Sequence, residues 1–411
     1  MPKRTIEGNV MVNAEVRIYE AFANFEKVYL SFSAGKDSTV MLHIACDIAR
    51  ETGRKLGVLL VDLEGQYKLT IEHAKKMLDE YSDVVDVYWV CLPISLRNAV
   101  SVFEPQWICW DEDKKEDWIR NPPEGAITDH NYFPFFEKGM EFEDFVPMFG
   151  EWYADGDPCC CLVGIRADES LNRFRTIAST SKVRFNDYQY TTKVTDNVFN
   201  WYPIYDWKTK DIWVYHVKNP DKRFNELYEI MHKAGVPLGH QRICQPYGDD
   251  QRRGLWLFHL IEPESWAKIV SRVSGANSGA LYVQESGNIS GYNKIDKPEG
   301  HTWKSFAMLL INTMPPQTKT HYENKIGLFC KWWSEMGYPE GIPDEADYNL
   351  EVKKKAPSWR RVCKSLLRND YWCKGLGFTQ HKTGAYKKYL ELMNKRKEEG
   401  KVKTLKELGC A

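Results

Sequence analysis

The chain has 411 residues, enough for one large elaborated domain or for two, and its 43% hydrophobic content with 15 tryptophans supplies a core that argues against disorder. Basic and acidic residues nearly cancel, 56 against 57 for a formal net charge of −1, so whole-protein steering toward nucleic acid or acidic membranes is not indicated. No stretch approaches the roughly 20 apolar residues of a membrane helix, and the basic segment Met1–Gly8 lacks the apolar core of a signal peptide, so the expectation is a cytoplasmic protein with no membrane partner.

An odd number of cysteines, 11, scattered through a long chain reads as buried small hydrophobes rather than a disulfide framework. In chain order, Asn9 to Asn24 reads as a helix with Val12, Val16, Ile18, Tyr19 and Phe22 available to pack. Val28–Phe32 is a short apolar strand of the kind buried in a parallel sheet. The turn Ser33-Ala34-Gly35-Lys36-Asp37-Ser38 follows, and then Val40, Met41, Ile44, Ala45, Ile48 and Ala49 recur at helical spacing up to Gly53, a C-cap glycine. Strand, glycine turn, helix aims backbone N–H groups and a positive helix end at one point, which is an anion site before any side chain is considered. Lys36 adds a mobile positive charge, and Ser33 and Ser38 add hydroxyls. The loop is not a Walker A motif, because Leu30 stands five before Gly35 and Asp37 separates Lys36 from Ser38.

Leu56–Leu63 reads as a central parallel strand that brings Asp62 and Glu64 to the carboxyl edge of the sheet, where ligands of open α/β sheets sit. Asp62 either binds a ribose or a nucleotide-bound magnesium ion or caps the next helix. That helix buries Ile71, Ala74, Met77, Leu78 and Tyr81, and a third strand runs from Val85 to Leu92. Residues 94–158 break the rhythm with aromatics (Trp107, Trp110, Phe133, Phe149) and acids (Asp111, Glu112, Asp113). A small helical elaboration with its own aromatic core, covering one sheet face, is the favoured reading over a lid or partner-docking insertion.

Cys159–Val163 is a fourth buried strand that runs into Gly164-Ile165-Arg166-Ala167-Asp168-Glu169-Ser170 and Arg173. Gly164 allows a close turn, and the planar fork of Arg166 suits phosphate. Glu169 and Arg173, four apart, can pair on one helix face. In Val198–Trp207 and Lys208–Trp213, Thr209 reads as an N-cap and Asp211 as a first-turn acid, an architectural segment.

Ser33–Ser38, Gly164–Arg173 and the Pro203–Trp213 segment together resemble the PP-loop ATP pyrophosphatases and their relatives, the phosphoadenosine-phosphosulfate (PAPS) reductases, over roughly Val28 to Trp213. The resemblance implies an α/β fold with a doubly wound, mainly parallel sheet of the adenine nucleotide alpha hydrolase-like kind. It implies a PP-loop nucleotide-binding domain over residues 1–230, with the insertion at about 94–158, and a mostly helical C-terminal region over 231–411. Nucleotide phosphates would be held by Ser33, Ala34, Gly35, Lys36, Asp37, Ser38 and Gly164, with Asp62 nearby, and Lys36, Arg166 and Arg173 would carry the catalytic charge. The implied cofactors are ATP or a related adenine nucleotide and Mg²⁺. The implied chemistry is cleavage of the α–β bond to give pyrophosphate and AMP or an adenylated substrate, with sulfonucleotide reduction and a nucleotide-holding regulatory module as the alternatives.

The chain departs from the reductases in its cysteines. Consecutive strand residues alternate faces, so Cys159, Cys160 and Cys161 cannot all face one metal. Cys244 is followed by Tyr247 where a second cysteine would stand, and Cys410 lacks the Glu-Cys-Gly setting, so an iron–sulfur cluster is not expected. Gly235–Trp256 is dense in glycine, amides and paired charges. It either folds back over the pocket, with Arg242, Asp249, Asp250 and Arg252 as candidates, or forms a surface loop tied by its own salt bridges. With Trp256–Leu281 it is similar to the immunoglobulin-binding regulator A branch, which implies a ParB/sulfiredoxin-like protein partner and an enterobacterial or phage setting. From about Lys294 the chain reads as helical, with Trp303, Ile326, Phe329 and Trp333. The run Lys353, Lys354, Lys355, Trp359, Arg360, Arg361, Lys364 and Arg368 suits either a solvated amphipathic helix or, less favoured at this net charge, nucleic acid. Tyr386 to Glu399 reads as a final charged helix.

Overall fold

A computed structural model describes residues 8–378 except 102, 179–181, 244, 246–247, 249–254, 276–296 and 315. The segment Tyr386–Glu399 and the positions Cys244, Asp249, Asp250, Arg252 and Cys410 lie outside the described residues.

A six-stranded sheet organises the first two thirds of the chain. Its strands are β1 (Lys27–Ser31), β2 (Leu56–Val61), β3 (Val85–Val90), β6 (Cys159–Val163), β7 (Thr191–Lys193) and β8 (Val198–Trp201), in the order β3-β2-β1-β6-β8-β7. All neighbours pair parallel except β7, an antiparallel edge strand beside β8. A small antiparallel pair, β4 (Ser95–Arg97) and β5 (Gln106–Ile108), lies apart from it. The order reverses at β1, whose neighbours on the two sides are β2 and β6. A crevice therefore opens there at the carboxyl ends of the strands, as doubly wound sheets require.

The helix α1 (Val10–Asn24) is capped by Asn9, whose side chain accepts from the Met11 amide. Its buried stripe is Ala14, Arg17, Ile18, Ala21 and Phe22, while Val12 and Val16 are about half exposed at 51% and 49%. The expected face was off because Arg17 goes inside, donating to the Pro203 carbonyl at 2.6 Å and to Asp206 at 2.8 and 2.9 Å. A buried arginine paired across 189 residues is invisible to hydrophobic periodicity. The Pro203–Asp206 segment thus holds Arg17 in place, an architectural task.

The insertion forms β4, β5 and α4 (Phe142–Ala154), and its aromatics make the expected cluster. Phe133 meets Phe145, Phe149 and Trp152 at centroid distances of 5.5, 5.9 and 4.9 Å. The helix lies directly on the sheet at Gly150, where a Cβ would come within 2.9 Å of Val198 and 3.0 Å of the Tyr29 hydroxyl. One hydrophobic core runs from Ala14 through the sheet and insertion to Val273. A second, of Trp303, Phe306, Ile311, Tyr322, Phe329, Val362 and Leu366 among others, belongs to α10 (Trp303–Asn312), α11 (Pro316–Glu335) and the last helix, Trp359–Leu367. The packing thus places Ile243, Leu257, Phe258, Trp266, Ile269 and Val273 with the sheet rather than with the later helices. Among the described residues no helix is long and apolar enough to cross a membrane.

Candidate nucleotide site

The turn after β1 delivers its residues to the switch point. Ala34 takes a left-handed conformation (φ 56°) that an L-residue adopts only under constraint. Asn225 supplies part of it: its amide donates to the Ala34 carbonyl at 3.2 Å and to Thr70 Oγ1 at 3.1 Å. Gly35 is then the N-cap of α2 (Lys36–Thr52) and makes no side-chain cap, so the first-turn amides of this helix face the crevice. The hydroxyls of Ser33 and Ser38 lie 3.1 Å apart, and Ser38 Oγ donates to the Gly35 carbonyl at 3.2 Å. Gly164 packs against this turn, where an added Cβ would lie 3.2 Å from the Ser38 amide nitrogen. Its role is close backbone approach, which any side chain would wedge apart.

A cleft of about 540 Å³ opens over the turn. Ser33, Gly35, Lys36, Asp37 and Ser38 form its floor, with Val61, Leu63 and Gln66 after β2 and Val163, Gly164 and Ile165 after β6. Glu169, Arg173 and Arg242 line it too, as do Arg97, Phe142 and Glu143 from the insertion. Trp372 and Lys374 arrive from the far end of the chain. Of the segment after Gly235, the described residues Arg242, Ile243, Gln245 and Gly248 also line the cleft.

Lys36 Nζ lies 3.0 Å from Asp37 Oδ2 and 5.5 Å from the ring centre of Tyr228. The Tyr228 hydroxyl accepts from the Lys36 amide at 3.1 Å. Tyr228 sits in α7 (Leu227–Lys233) behind Asn225, whose side-chain oxygen accepts from the Leu227 amide. Neither Asn225 nor Tyr228 was singled out from the sequence. The asparagine immediately before an apolar helical turn was the available signal.

Two expected ligands stand elsewhere. Arg166 is 1% exposed and outside the cleft lining; its Nε donates to Asp37 Oδ1 at 2.5 Å and its guanidinium to Thr209 Oγ1 at 3.3 Å. Its charge goes to the carboxylate beside Lys36 instead of to a phosphate. Thr209 is correspondingly the first residue of α6 (Thr209–Lys218) rather than its N-cap, which is Lys208. Asp211 performs the expected first-turn role by accepting from the Lys208 amide at 2.7 Å. Asp62 is fully buried, accepts from Trp89 Nε1 at 2.9 Å and from Arg120, and neither reaches the cleft nor caps α3 (Lys68–Glu80), whose N-cap is Tyr67. The Glu169–Arg173 pair forms at 2.5 Å, and the Glu169 carboxylate also accepts from the Arg166 amide at 3.2 Å. Cys159, Cys160 and Cys161 are all buried inside β6. Burial pushes the first two thiols well up and Cys161 to about 12, so all three are protonated thiols at neutral pH.

Residues 27–233 match the phosphoadenosine phosphosulfate reductase domain, just over half of the chain. The chain belongs to that family. Residues 235–342 and 340–387 match a domain of unknown function, DUF3440, which supplies Arg242, Trp372 and Lys374 to the family's cleft. The chain is 43% identical over 394 residues to the uncharacterized protein YbdN of Escherichia coli K12, covering 95% of this chain and 96% of that one. Among solved structures it is similar to phosphoadenylyl-sulfate reductase from Candida auris in a phosphate complex (13% identity, 59% of this chain and 98% of that one, TM-score 0.33). It is also similar to Candida glabrata FMN adenylyltransferase with FMN and AMPCPP (13% identity, 55% and 64%, TM-score 0.32). The reductase-domain match begins at β1 and ends at Lys233 in α7, so it takes in the turn, Gly164 and the Tyr228 support together.

Proposed function

We propose that this cleft binds ATP or a related adenine nucleotide and cleaves its α–β bond, releasing pyrophosphate and leaving AMP or an adenylated acceptor. The observation that carries the reading is the N-terminus of α2 at the switch point, where Gly35 supplies no side-chain cap and the Tyr228 hydroxyl meets only the Lys36 amide, with Lys36 and two facing serines on the floor of the cleft. Backbone amides and a positive helix end bind phosphate without side-chain help. Lys36 is held by Asp37 at 3.0 Å. A phosphate chain of greater charge draws Nζ forward, and Arg166 then keeps Asp37 neutralised, a positioning role in place of direct contact. Arg173 and Arg242 also line the cleft, and in this reading they would offset charge developing on a departing pyrophosphate.

Among the described residues, Glu143 and Glu169 line the cleft besides Asp37. Mg²⁺ prefers phosphate oxygens, waters and one or two carboxylates, a donor set that this wall and a bound nucleotide together provide. The ion would enter on the nucleotide and supply charge neutralisation on its phosphates. Incubation with ATP and Mg²⁺, followed by quantification of AMP and pyrophosphate, tests the reading. Lys36→Ala is expected to slow product formation by about 100-fold or more, the usual scale for a lost electrostatic stabiliser. Equal rates for wild type and variant would sink the catalytic assignment. No pyrophosphate from ATP, together with sulfite release when a sulfonucleotide and a dithiol reductant are supplied instead, would move the site to the reductase reading.

A further inference from the structure

Two cavities meet along one short helix. α5 (Leu171–Ala178) puts Arg173 in the lining of the nucleotide cleft, while Arg175, Thr176 and Ala178, with Lys182 beyond them, line a separate hollow of about 430 Å³. The far end of the chain reaches the same place. Lys374 stands on the cleft rim, and Lys354 Nζ donates to the Lys374 carbonyl at 2.5 Å. Lys354 is in turn within electrostatic reach of α5: burial lowers this lysine, and the charges of Arg361 and Arg175 lower it further.

The charge here has one sign. Arg175, Lys354 and Lys374 are exposed and Lys182 is half-buried. Among the described residues none of these four has a carboxylate within 4 Å, whereas cations beside them do, Arg173 with Glu169 and Arg360 with Glu345. Asp370, the acid on the same hook as Lys374, uses its carboxylate on the Lys374 and Gly375 amides. A formal net charge of −1 for the whole chain thus coexists with a cationic track that runs from the cleft rim to the hollow.

Cations strung between two cavities match a ligand whose negative charge repeats along its length, rather than one small anion. The cleft end of the track also holds Trp372, a partly buried ring set edge-on to Tyr371 at 5.5 Å. Repeated phosphates meet the first feature and stackable bases the second. A single strand presents both. A duplex keeps its bases stacked inside, and its major groove alone is about 12 Å wide, too broad a body for a cleft of about 540 Å³.

We infer that single-stranded nucleic acid docks along this track, with its backbone on Arg175, Lys182, Lys354 and Lys374 and a base against Trp372 at the cleft. Binding of this kind goes beyond the nucleotide reaction and needs no ATP, so each can fail without the other.

Fluorescence anisotropy of a labelled oligo(dT) titrated with the full chain tests it. Four phosphate contacts on a single strand predict a log–log salt slope of about −3, a loss of roughly 50-fold in affinity between 50 and 200 mM salt. Arg175→Ala and Lys354→Ala should each weaken binding and flatten that slope by about 0.7. Trp372→Ala should weaken binding at least fivefold with the slope unchanged, the scale of one lost base stack. Arg175 is exposed, so its variant keeps the fold and decides the matter even where Trp372→Ala disturbs packing. The proposal is overturned by no binding at 50 mM salt, by equal slopes for wild type and the two cation variants, or by tighter binding of the matching duplex. Displacement by polyglutamate as readily as by unlabelled oligo(dT) at equal charge concentration would give the track to an acidic protein segment and overturn it too.

Discussion

The molecule holds two cores made in different ways, and they are joined by a third kind of contact. The sheet core rests on continuous apolar strands with a few long-range ion pairs buried among them, such as Arg17 with Asp206 and Arg272 with Glu64 at 2.9 Å. The helical core is built from amphipathic helices whose ends are capped in order, Thr302 for α10 and Ser358 for Trp359–Leu367. The seam between them is polar. Arg97 donates to the Asn369 carbonyl at 2.8 Å and lies 4.9 Å from the Tyr371 ring centre, while the Asn369 amide donates to Ser101 at 2.9 Å. Hydrogen bonds demand one register, whereas apolar patches tolerate several. The seam therefore fixes where Trp372 and Lys374 stand over the cleft.

The largest way to disturb this contrast is to unpair a charge inside the sheet half. Arg166→Met leaves the Asp37 carboxylate with Lys36 as its remaining cationic partner and is expected to cost about 3 kcal/mol, the low end for breaking a buried pair. Urea unfolding measures it. The double variant Asp37→Asn/Arg166→Met should recover part of the loss, because the unpaired carboxylate is gone while Lys36 gives up its partner. A cost below about 1 kcal/mol would mean that the pair is solvated and that Arg166 does not position Asp37.

Acid should separate the two halves. Burial holds His43 at about 4 and His73 at about 3, with His43 of α2 bonded to the Tyr81 hydroxyl and His73 to Thr39 of α2. Their folded values lie below the unfolded value near 6.5, so the unfolded chain binds protons that the folded chain refuses. Their stabilisation is whole above about pH 6.5 and is lost as pH falls toward 4 and 3. By pH 5.5 each removes about 1.4 kcal/mol from the sheet half. In the helical half burial also lowers His321, but that ring is only half-buried, stacked on Tyr371 at 3.9 Å. Hydrogen exchange at pH 7.5 and 5.5, corrected for intrinsic rates, should show opening energies falling more over residues 27–163 than over 303–367. Equal declines would contradict the burial assigned to His43 and His73.

What the sequence revealed divides along the same lines. Strand, turn and helix at Val28–Gly53 were legible because each residue's role is settled by neighbours a few positions away, and the family's second motif added Gly164. Arg166 and Asp62 were misplaced for a common reason. A sequence shows that a charge is present at a strand end but not which charge 58 or 129 residues away it will meet. The basic run at 353–368 was legible in part: Trp359–Leu367 is an amphipathic helix, but Arg361 turns inward to the Ala356 and Gly375 carbonyls and Arg360 to Glu345 and Glu351, so part of what looked like surface charge is structural. Lys374 gave no signal at all, since its position depends on the whole seam.

The smallest expected effect falls on that residue, and it tests whether the helical half takes part in binding. The hook that carries Lys374 is tied by Asp370, which accepts from the Lys374 amide at 3.0 Å and from the Gly375 amide at 2.6 Å. The side chain is exposed at the cleft rim, so Lys374→Ala should leave unfolding unchanged. An exposed cation facing a polyphosphate contributes up to about 1 kcal/mol, which is a three- to fivefold loss of affinity for a non-hydrolysable ATP analogue by calorimetry. Because the contribution is screened, the gap between wild type and variant should close as salt rises from low to about 1 M, where the Debye length shrinks to about 3 Å. A gap that persists in salt would make Lys374 a packing residue. No gap at any salt would confine nucleotide binding to the sheet half and leave the seam with a purely structural task.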